Sequence, residues 1–255
     1  MTTSGRTRIL AAAGAALALT LTGPAFAGGT ARATTTSRPD VGECRSLTVA
    51  QADAKSDTSA PIDCANAHNS RVIAVRNLPQ GVTYADLDTN AKLVRAAMDL
   101  CYPAFRTAVG GTDRVIDRTA YTFLFFRPTA QQRASGARWM RCDLALVQGP
   151  TYGDLPTDAV PALKGSRIPT SEKRCLAGTN HITTTCKAGH SYRATGSFTV
   201  DLQKFPGTRR IIQIGRNRCP ALVSTDRNFL FTWKVKQVFN GVHDRTVVCY
   251  SHTSS

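Results

Sequence analysis

The chain has 255 residues, of which 42% are apolar and 19% are charged, so it can bury a hydrophobic core and is not a disordered chain. Its 32 basic and 17 acidic residues give a net charge of +15, which argues against an acidic solvating or metal-buffering protein. Glu43 and Glu172 are the only two glutamates. This scarcity argues against a hydrolase whose chemistry depends on glutamate.

Residues 1–27 have the organisation of a secretory signal peptide. Arg6 and Arg8 precede an uncharged apolar run over residues 9–21, and the sequence Ala-Phe-Ala at 25–27 supplies a cleavage pattern. The run has about 13 residues, whereas a membrane span needs about 20. We therefore expect cleavage, an exported chain and no integral membrane segment after cleavage. Retention of the segment as an anchor is the alternative.

Eight cysteines follow the predicted signal peptide, and an even number in an exported chain predicts disulfide bonds. They form two sets of four, and each set allows three connectivities. We expect local pairing, because the third cysteine of each set lies on an apolar helix face and the fourth lies in a last strand. The expected bonds are Cys44–Cys64, Cys101–Cys142, Cys175–Cys186 and Cys219–Cys249.

The two sets of cysteines lie in similar stretches of sequence. The pattern C-x3-H-x2-R begins at Cys64 and again at Cys186, and each copy is followed by a Cys and Pro-Ala motif, by Phe-Leu-Phe and by a final cysteine. Four matches in one order indicate a duplication. We expect two related domains at 40–150 and 175–255, a Pro- and Gly-rich linker at 151–174 and a flexible, Thr-rich tail at 28–39.

Hydrophobic patterning predicts the same order of elements in both stretches. In chain order, the sequence predicts a strand over 71–77, a helix over 90–109 and strands over 121–126 and 138–147. It then predicts a strand over 191–200, a helix within 207–222 and strands over 228–233 and 245–251. The sequence therefore predicts an α+β fold of two small related domains. Each is expected to be an antiparallel sheet packed with a helix and stapled by disulfides.

Several sequence motifs resemble those of the septum-formation domain family of actinobacterial envelope proteins. They are a G-x-C motif, the C-x3-H motif, a cysteine in the predicted helix and a pattern of Trp and Arg before the last strand. The residues concerned are Gly42, Glu43, Cys44, Gly136, Arg138, Trp139 and Cys142, then Trp233, Gly241, Arg245 and Cys249. The resemblance covers both stretches, as two tandem copies. It implies an exported or envelope protein linked to septation, and it supplies no catalytic residue.

The sequence contains no nucleophile elbow, penicillin-binding motif, zinc-protease motif or phosphate-binding loop. We therefore expect a non-catalytic protein that needs no cofactor. A cell-envelope enzyme with a His/Asp site that no local motif reveals is the alternative. A secreted structural module without a ligand is a third hypothesis.

His68 and His190 are the leading polar candidates. The C-x3-H pattern resembles half of a zinc site, but cysteines of an exported protein are expected to be oxidised, so we expect no metal and a turn-ordering histidine. As an alternative, His68 and Arg71 form a binding edge together with His190 and Arg193. We expect the aromatic runs at 121–126 and 229–233 to be core strands rather than sugar-stacking surfaces.

Positive charge is concentrated after residue 174, where eleven basic residues face three acidic ones. The candidate residues are Arg209, Arg210, Arg216, Arg218, Lys234 and Lys236. Such a cluster predicts a site for an anionic cell-wall polymer, and a solvated basic surface is the alternative. An envelope or division protein is the other expected partner. Export argues against nucleic acid, and the sequence leaves the oligomeric state open.

Overall fold

The computed structural model describes residues 38–156, 159–224 and 228–253, all of which belong to one compact unit. The predicted signal peptide at 1–27 and the predicted tail, except for residues 38 and 39, lie outside the described residues. Within the described ranges, no helix is long and apolar enough to cross a membrane.

The first half of the described chain, residues 38–156, forms a five-stranded antiparallel sheet with four helices. The strands are β1 (Cys44–Arg45), β2 (Ser70–Asn77), β3 (Tyr121–Phe126), β4 (Trp139–Gln148) and β5 (Thr151–Gly153). The helices are α1 (Val49–Ala52), α2 (Asn90–Val109), α3 (Asp113–Ile116) and α4 (Ala130–Ala134). The strand order is β1-β2-β4-β3, and β5 pairs with β4.

The second half, residues 159–253, forms another five-stranded antiparallel sheet. Its strands are β6 (Arg174–Ala177), β7 (Ile182–Thr185), β8 (Tyr192–Thr199), β9 (Phe229–Trp233) and β10 (Thr246–His252). Its helices are α5 (Thr208–Arg218), a 3₁₀ turn (Cys219–Leu222) and α6 (Lys236–Gly241). The strand order is β7-β6-β8-β10-β9, so β6-β8-β10-β9 repeats the order of the first sheet.

One long helix covers the sheet in each half. In α2, Leu93, Ala97 and Cys101 follow one another at intervals of four residues, so their side chains share one face, and all three are buried. In α5 and the turn after it, Ile211, Gly215 and Cys219 repeat this spacing. Each helix begins eleven residues before its cysteine. The opposite face of each helix is therefore left to solvent.

All four expected disulfide pairings are confirmed, and no described cysteine is free. Cys101–Cys142 ties α2 to β4, and Cys219–Cys249 ties the end of α5 to β10. The other two bonds link β1 and β6 to the loops that lead towards β2 and β8. The predicted α+β fold of two small units, each with two internal disulfides, is confirmed.

The long elements agree with the sequence predictions, and the predicted strands differ from the observed ones by about one residue at their ends. The run 121–126 is a core strand, because Tyr121, Leu124 and Phe126 are buried. The run 229–233 is partly buried against the core beneath α5. The segment 151–174 connects the halves, but it also contributes β5 and the buried Leu163 to the core of the first half.

A substitution at Gly215 tests how closely α5 packs on its sheet. A Cβ atom at this position would lie 2.3 Å from a ring carbon of Phe231. The corresponding residue of α2 is Ala97, whose side chain is accommodated in the buried face of the helix. We expect Gly215→Ala to lower the free energy of unfolding by about 1–2 kcal/mol, because overpacking outweighs the gain in helix propensity. Chemical denaturation measures this. Gln213→Ala, on the exposed face, is the control, and equal or higher stability of Gly215→Ala would contradict the packing.

Candidate functional site

The two halves place the same residue types at the same points of their sheets. Arg71 of β2 pairs with Cys44, and Arg193 of β8 pairs with Cys175. The last cysteine of each half lies between corresponding residues of the neighbouring strands. These sets are Ala74, Cys142 and Phe125 in the first half, and Gly196, Cys249 and Phe231 in the second.

His68 and His190 occupy equivalent turns, each just before the first long strand of its half, β2 or β8. The Nδ1–H of His68 donates to the carbonyl oxygen of Asn66 at 2.8 Å, and that of His190 donates to the carbonyl oxygen of Ala188 at 2.7 Å. Both imidazoles are largely buried. This geometry is that of a histidine that orders a turn.

Three side chains that could bind a metal ion lie close together at the His190 turn. The sulfur atoms of Cys175 and Cys186 and a ring nitrogen of His190 lie within 4.8 Å of one another. The two sulfurs are joined in a disulfide, whereas zinc binds cysteine as the thiolate. The cluster therefore offers one ligand, the imidazole nitrogen, while the disulfide is intact.

The expected binding edge is divided between two sheets. His68 and Arg71 lie at the start of β2, while His190 and Arg193 lie at the start of β8. Arg71 also lines a pocket of about 380 Å³ between β2 and α2, together with Arg76 and apolar residues such as Val41 and Val160. Two guanidinium groups above apolar walls suit an anionic group that carries an apolar part.

The predicted basic residues of α5 form an exposed surface. Arg209 and Arg216 are two helical turns apart and therefore lie on one face, and Arg210 lies beside them. We call these three residues the α5 basic face. Arg218 is also exposed, but its guanidinium stacks on the Phe198 ring at 4.0 Å and donates to the carbonyl oxygen of Thr199. Lys236 is exposed at the start of α6.

Lys234 does not belong to this surface, which corrects the grouping expected from sequence. Its Nζ lies 2.5 Å from Oδ1 of Asp117 and 2.8 Å from Oδ2 of Asp244. The hydroxyl of Tyr102 donates to the same oxygen of Asp244 at 2.6 Å. We call Tyr102, Asp117, Lys234 and Asp244 the inter-half cluster, because two come from each half. An ammonium held by two carboxylates is not available to a polymer.

No local sequence signal reveals the inter-half cluster. Asp117 and Lys234 are 117 positions apart, and Tyr102 and Asp244 are 142 positions apart. Tyr102 lies on the buried face of α2 in the sequence pattern, where an aromatic residue is ordinarily part of the core. Only the packing of α2 and α3 against the second half brings the four side chains together.

The fold and its disulfides are those of a small protein from an oxidising environment. Two α+β units with four disulfides fit an oxidising compartment outside the cytoplasm. The family model described as septum formation matches residues 84–226, more than half of the chain. The chain therefore belongs to the septum-formation family.

The match is one continuous span that begins before α2 and ends after α5. It is a single copy, and it does not support the expectation of one family domain in each half. Neither a curated protein nor a solved structure matches the chain.

His190→Ala tests the turn-ordering role. Losing the buried ring and its hydrogen bond is expected to lower the free energy of unfolding by about 1–3 kcal/mol, with a lower Tm. Thermal melting of the oxidised protein measures this. His243→Asn is the control, because His243 is exposed and asparagine tolerates its φ of 60°. An unchanged Tm with weakened ligand binding would instead assign His190 to recognition.

Proposed function

We propose that this septum-formation family protein is exported and acts at the cell envelope, by binding an anionic wall polymer through the α5 basic face. The predicted signal peptide at 1–27 and the four disulfides support export. The family supports a connection with septum formation. In this proposal the protein is a binding module and not an enzyme.

One observation carries the proposal: the cations of α5 lack the acidic neighbours that accompany those of α2. On α2, Lys92, Arg95 and Arg106 each form an ion pair with an aspartate, at 3.1, 3.5 and 2.7 Å. The α5 sequence contains no acidic residue, and its basic face takes part in no ion pair identified within the described ranges. Its charge is therefore directed at solvent.

The geometry of this face suits a polymer with repeated negative charges. Arg209 and Arg216 are about 10 Å apart along the helix axis, from a rise of 1.5 Å per residue. This separation is comparable to the screening length of about 8 Å at physiological salt. Guanidinium groups also bind phosphate oxygens through two parallel hydrogen bonds. A phosphate-bearing wall polymer matches both features.

We also propose that the two halves arose by duplication of one unit. The shared strand order, the equivalent disulfides and the equivalent histidine turns support this. The two copies now differ in their covering helices, because the cations of α2 pair with acidic residues and α5 contains no acidic residue. The polymer-binding role would then be specific to the second half.

Two alternative functions that the sequence analysis left open predict different results from polymer binding. A division or envelope protein as partner predicts binding to a protein component of the envelope and not to purified wall. An enzyme with a His/Asp site needs those residues to face an open cleft. Neither type lines the pocket between β2 and α2, and the pocket that Asp53 lines at the start of α2 is lined by no histidine. The exposed charge of α5 favours the polymer.

The test compares wild-type protein with Arg209→Ala/Arg210→Ala/Arg216→Ala for co-sedimentation with purified bacterial cell walls. Each cation near an anionic surface contributes about 1 kcal/mol, so the triple variant is expected to bind about a hundredfold more weakly. It is also expected to lose most of the salt dependence of binding. The bound fraction across a salt series measures both effects.

The matched control is Lys92→Ala/Arg95→Ala/Arg106→Ala, which removes the same charge from the corresponding helix. Because those cations already have acidic partners, we expect this variant to keep most of its wall binding. Equal loss of binding in both variants would show that net charge alone matters. Full binding by the α5 variant would overturn the proposed site.

A further inference from the structure

The inter-half cluster brings one amine and two carboxyl groups together in the interior. Lys234 Nζ lies 2.5 Å from Asp117 and 2.8 Å from Asp244, measured to one carboxylate oxygen of each. The side chains of Asp117 and Asp244 are 4% and 0% exposed, and that of Lys234 is 23% exposed. The two carboxyl groups are therefore buried, and the amine that contacts them is partly buried.

The two carboxyl groups have different surroundings. Asp244 accepts hydrogen bonds from the Tyr102 hydroxyl at 2.6 Å and from the Thr246 N–H at 3.1 Å. Asp117 Oδ2 is buried without a hydrogen-bond partner among the described residues. Asp244 is therefore held as the anion, whereas Asp117 has less support for a negative charge.

The pKa directions agree with this difference. Burial raises the pKa of Asp117 above its usual value, and the attraction of Lys234 does not cancel the effect. Burial acts in the same sense on Asp244, but Lys234 and the hydrogen bonds from Tyr102 and Thr246 lower its pKa overall. Burial favours the neutral amine of Lys234, yet the two aspartates raise its pKa. The amine therefore needs a proton acceptor before it can react.

We propose that Lys234 and Asp117 condense to form an intramolecular isopeptide bond, with Asp244 as the catalytic base. Asp244 takes a proton from the Lys234 ammonium, and the free amine attacks Cγ of the protonated Asp117 carboxyl group. A bond forms between Nζ and Cγ. Asp244 gives this proton to the departing hydroxyl, which leaves as water when the C–OH bond breaks, and takes up the second proton that the nitrogen loses. The balance is one ammonium, one protonated carboxyl group and the Asp244 carboxylate converted into one amide, one water and a protonated Asp244, with no other reactant.

Proximity and exclusion of water make this condensation feasible. Reacting groups held in contact reach effective molarities of about 10⁵ M or more, which offsets the unfavourable equilibrium of amide formation in water. The surroundings are aromatic, because Tyr102 packs with Phe105 and Phe123 at ring-centre distances of 6.0 and 6.5 Å. Burial of Asp117 and Asp244 also limits the access of water that would hydrolyse the product.

The proposed isopeptide bond would link the two halves to each other, which the disulfides do not do. Each disulfide joins two residues of the same half. An amide between Asp117 and Lys234 would join the residue after α3 in the first half to the segment between β9 and α6 in the second half. The two halves would then be joined covalently at a second point besides the continuous chain, and this link would persist when the disulfides are reduced.

Intact-mass spectrometry of the mature wild-type chain, with its disulfides reduced and alkylated, tests the proposal. We expect a mass lower by one water molecule than the sequence requires. Digestion with trypsin is then expected to yield one branched peptide, in which residues 115–118 are linked to residues 228–236. Trypsin does not cleave after an acylated lysine, so cleavage at Lys234 is expected to disappear.

Variants assign the roles of the two aspartates. Asp244→Asn keeps Lys234 beside Asp117 but removes the base, and we expect its mass to retain the water and trypsin to cleave at Lys234. Asp117→Ala is expected to give the same result. The exposed pair Lys92 and Asp88, at 3.1 Å, has no second carboxylate in contact and is the control within each digest. It is expected to remain unlinked.

Three results would overturn the proposal. An unmodified mass with cleavage at Lys234 in the folded wild-type protein would show an ion pair only. A link from Lys234 to the peptide that carries Asp244 would reverse the assigned roles. A linked Asp244→Asn variant would remove the base from the mechanism.

Discussion

The disulfide bond between the covering helix and an inner strand of each sheet, β4 or β10, is the constraint on which the rest of the structure depends. Cys101–Cys142 and Cys219–Cys249 close loops of 41 and 30 residues. In the chain-entropy account, each such closure stabilises the fold by about 4 kcal/mol. Because this bond fixes which helix face meets the sheet, it also fixes which face meets solvent. The exposure of the arginines on α5 follows directly.

The two halves use this shared frame differently. The first half buries Arg141, which bonds to Asp57 and Asp143 at 2.7 and 2.9 Å and lies over the Phe126 ring at 4.3 Å. A buried cation with two carboxylate partners defines a specific arrangement at a cost in desolvation. The second half has apolar Val248 at the corresponding strand position, and the arginines of its covering helix α5 lie at the surface. The buried cation at this strand position is therefore a feature of the first half alone.

Structural features that depend on local periodicity could be predicted from the sequence. The apolar spacing over 90–109 gives α2 with its observed bounds, and the helix-face cysteines gave the correct disulfide partners. Strands of two to four residues, such as β1 and β7, are too short to show a period. Lys234 was misplaced because its partner Asp117 is 117 positions away, and no local pattern carries that contact. Only long-range packing distinguishes Lys234 from the exposed arginines of α5.

The measurement that tests the account most directly is the binding of wild-type, oxidised mature protein to purified cell walls, before and after removal of their anionic polymer. Each preparation is compared at low and high salt. We predict binding to intact walls at low salt, a steep fall at high salt and little binding to stripped walls at either. Equal binding to intact and stripped walls, or binding unaffected by salt, would contradict an electrostatic polymer-binding function.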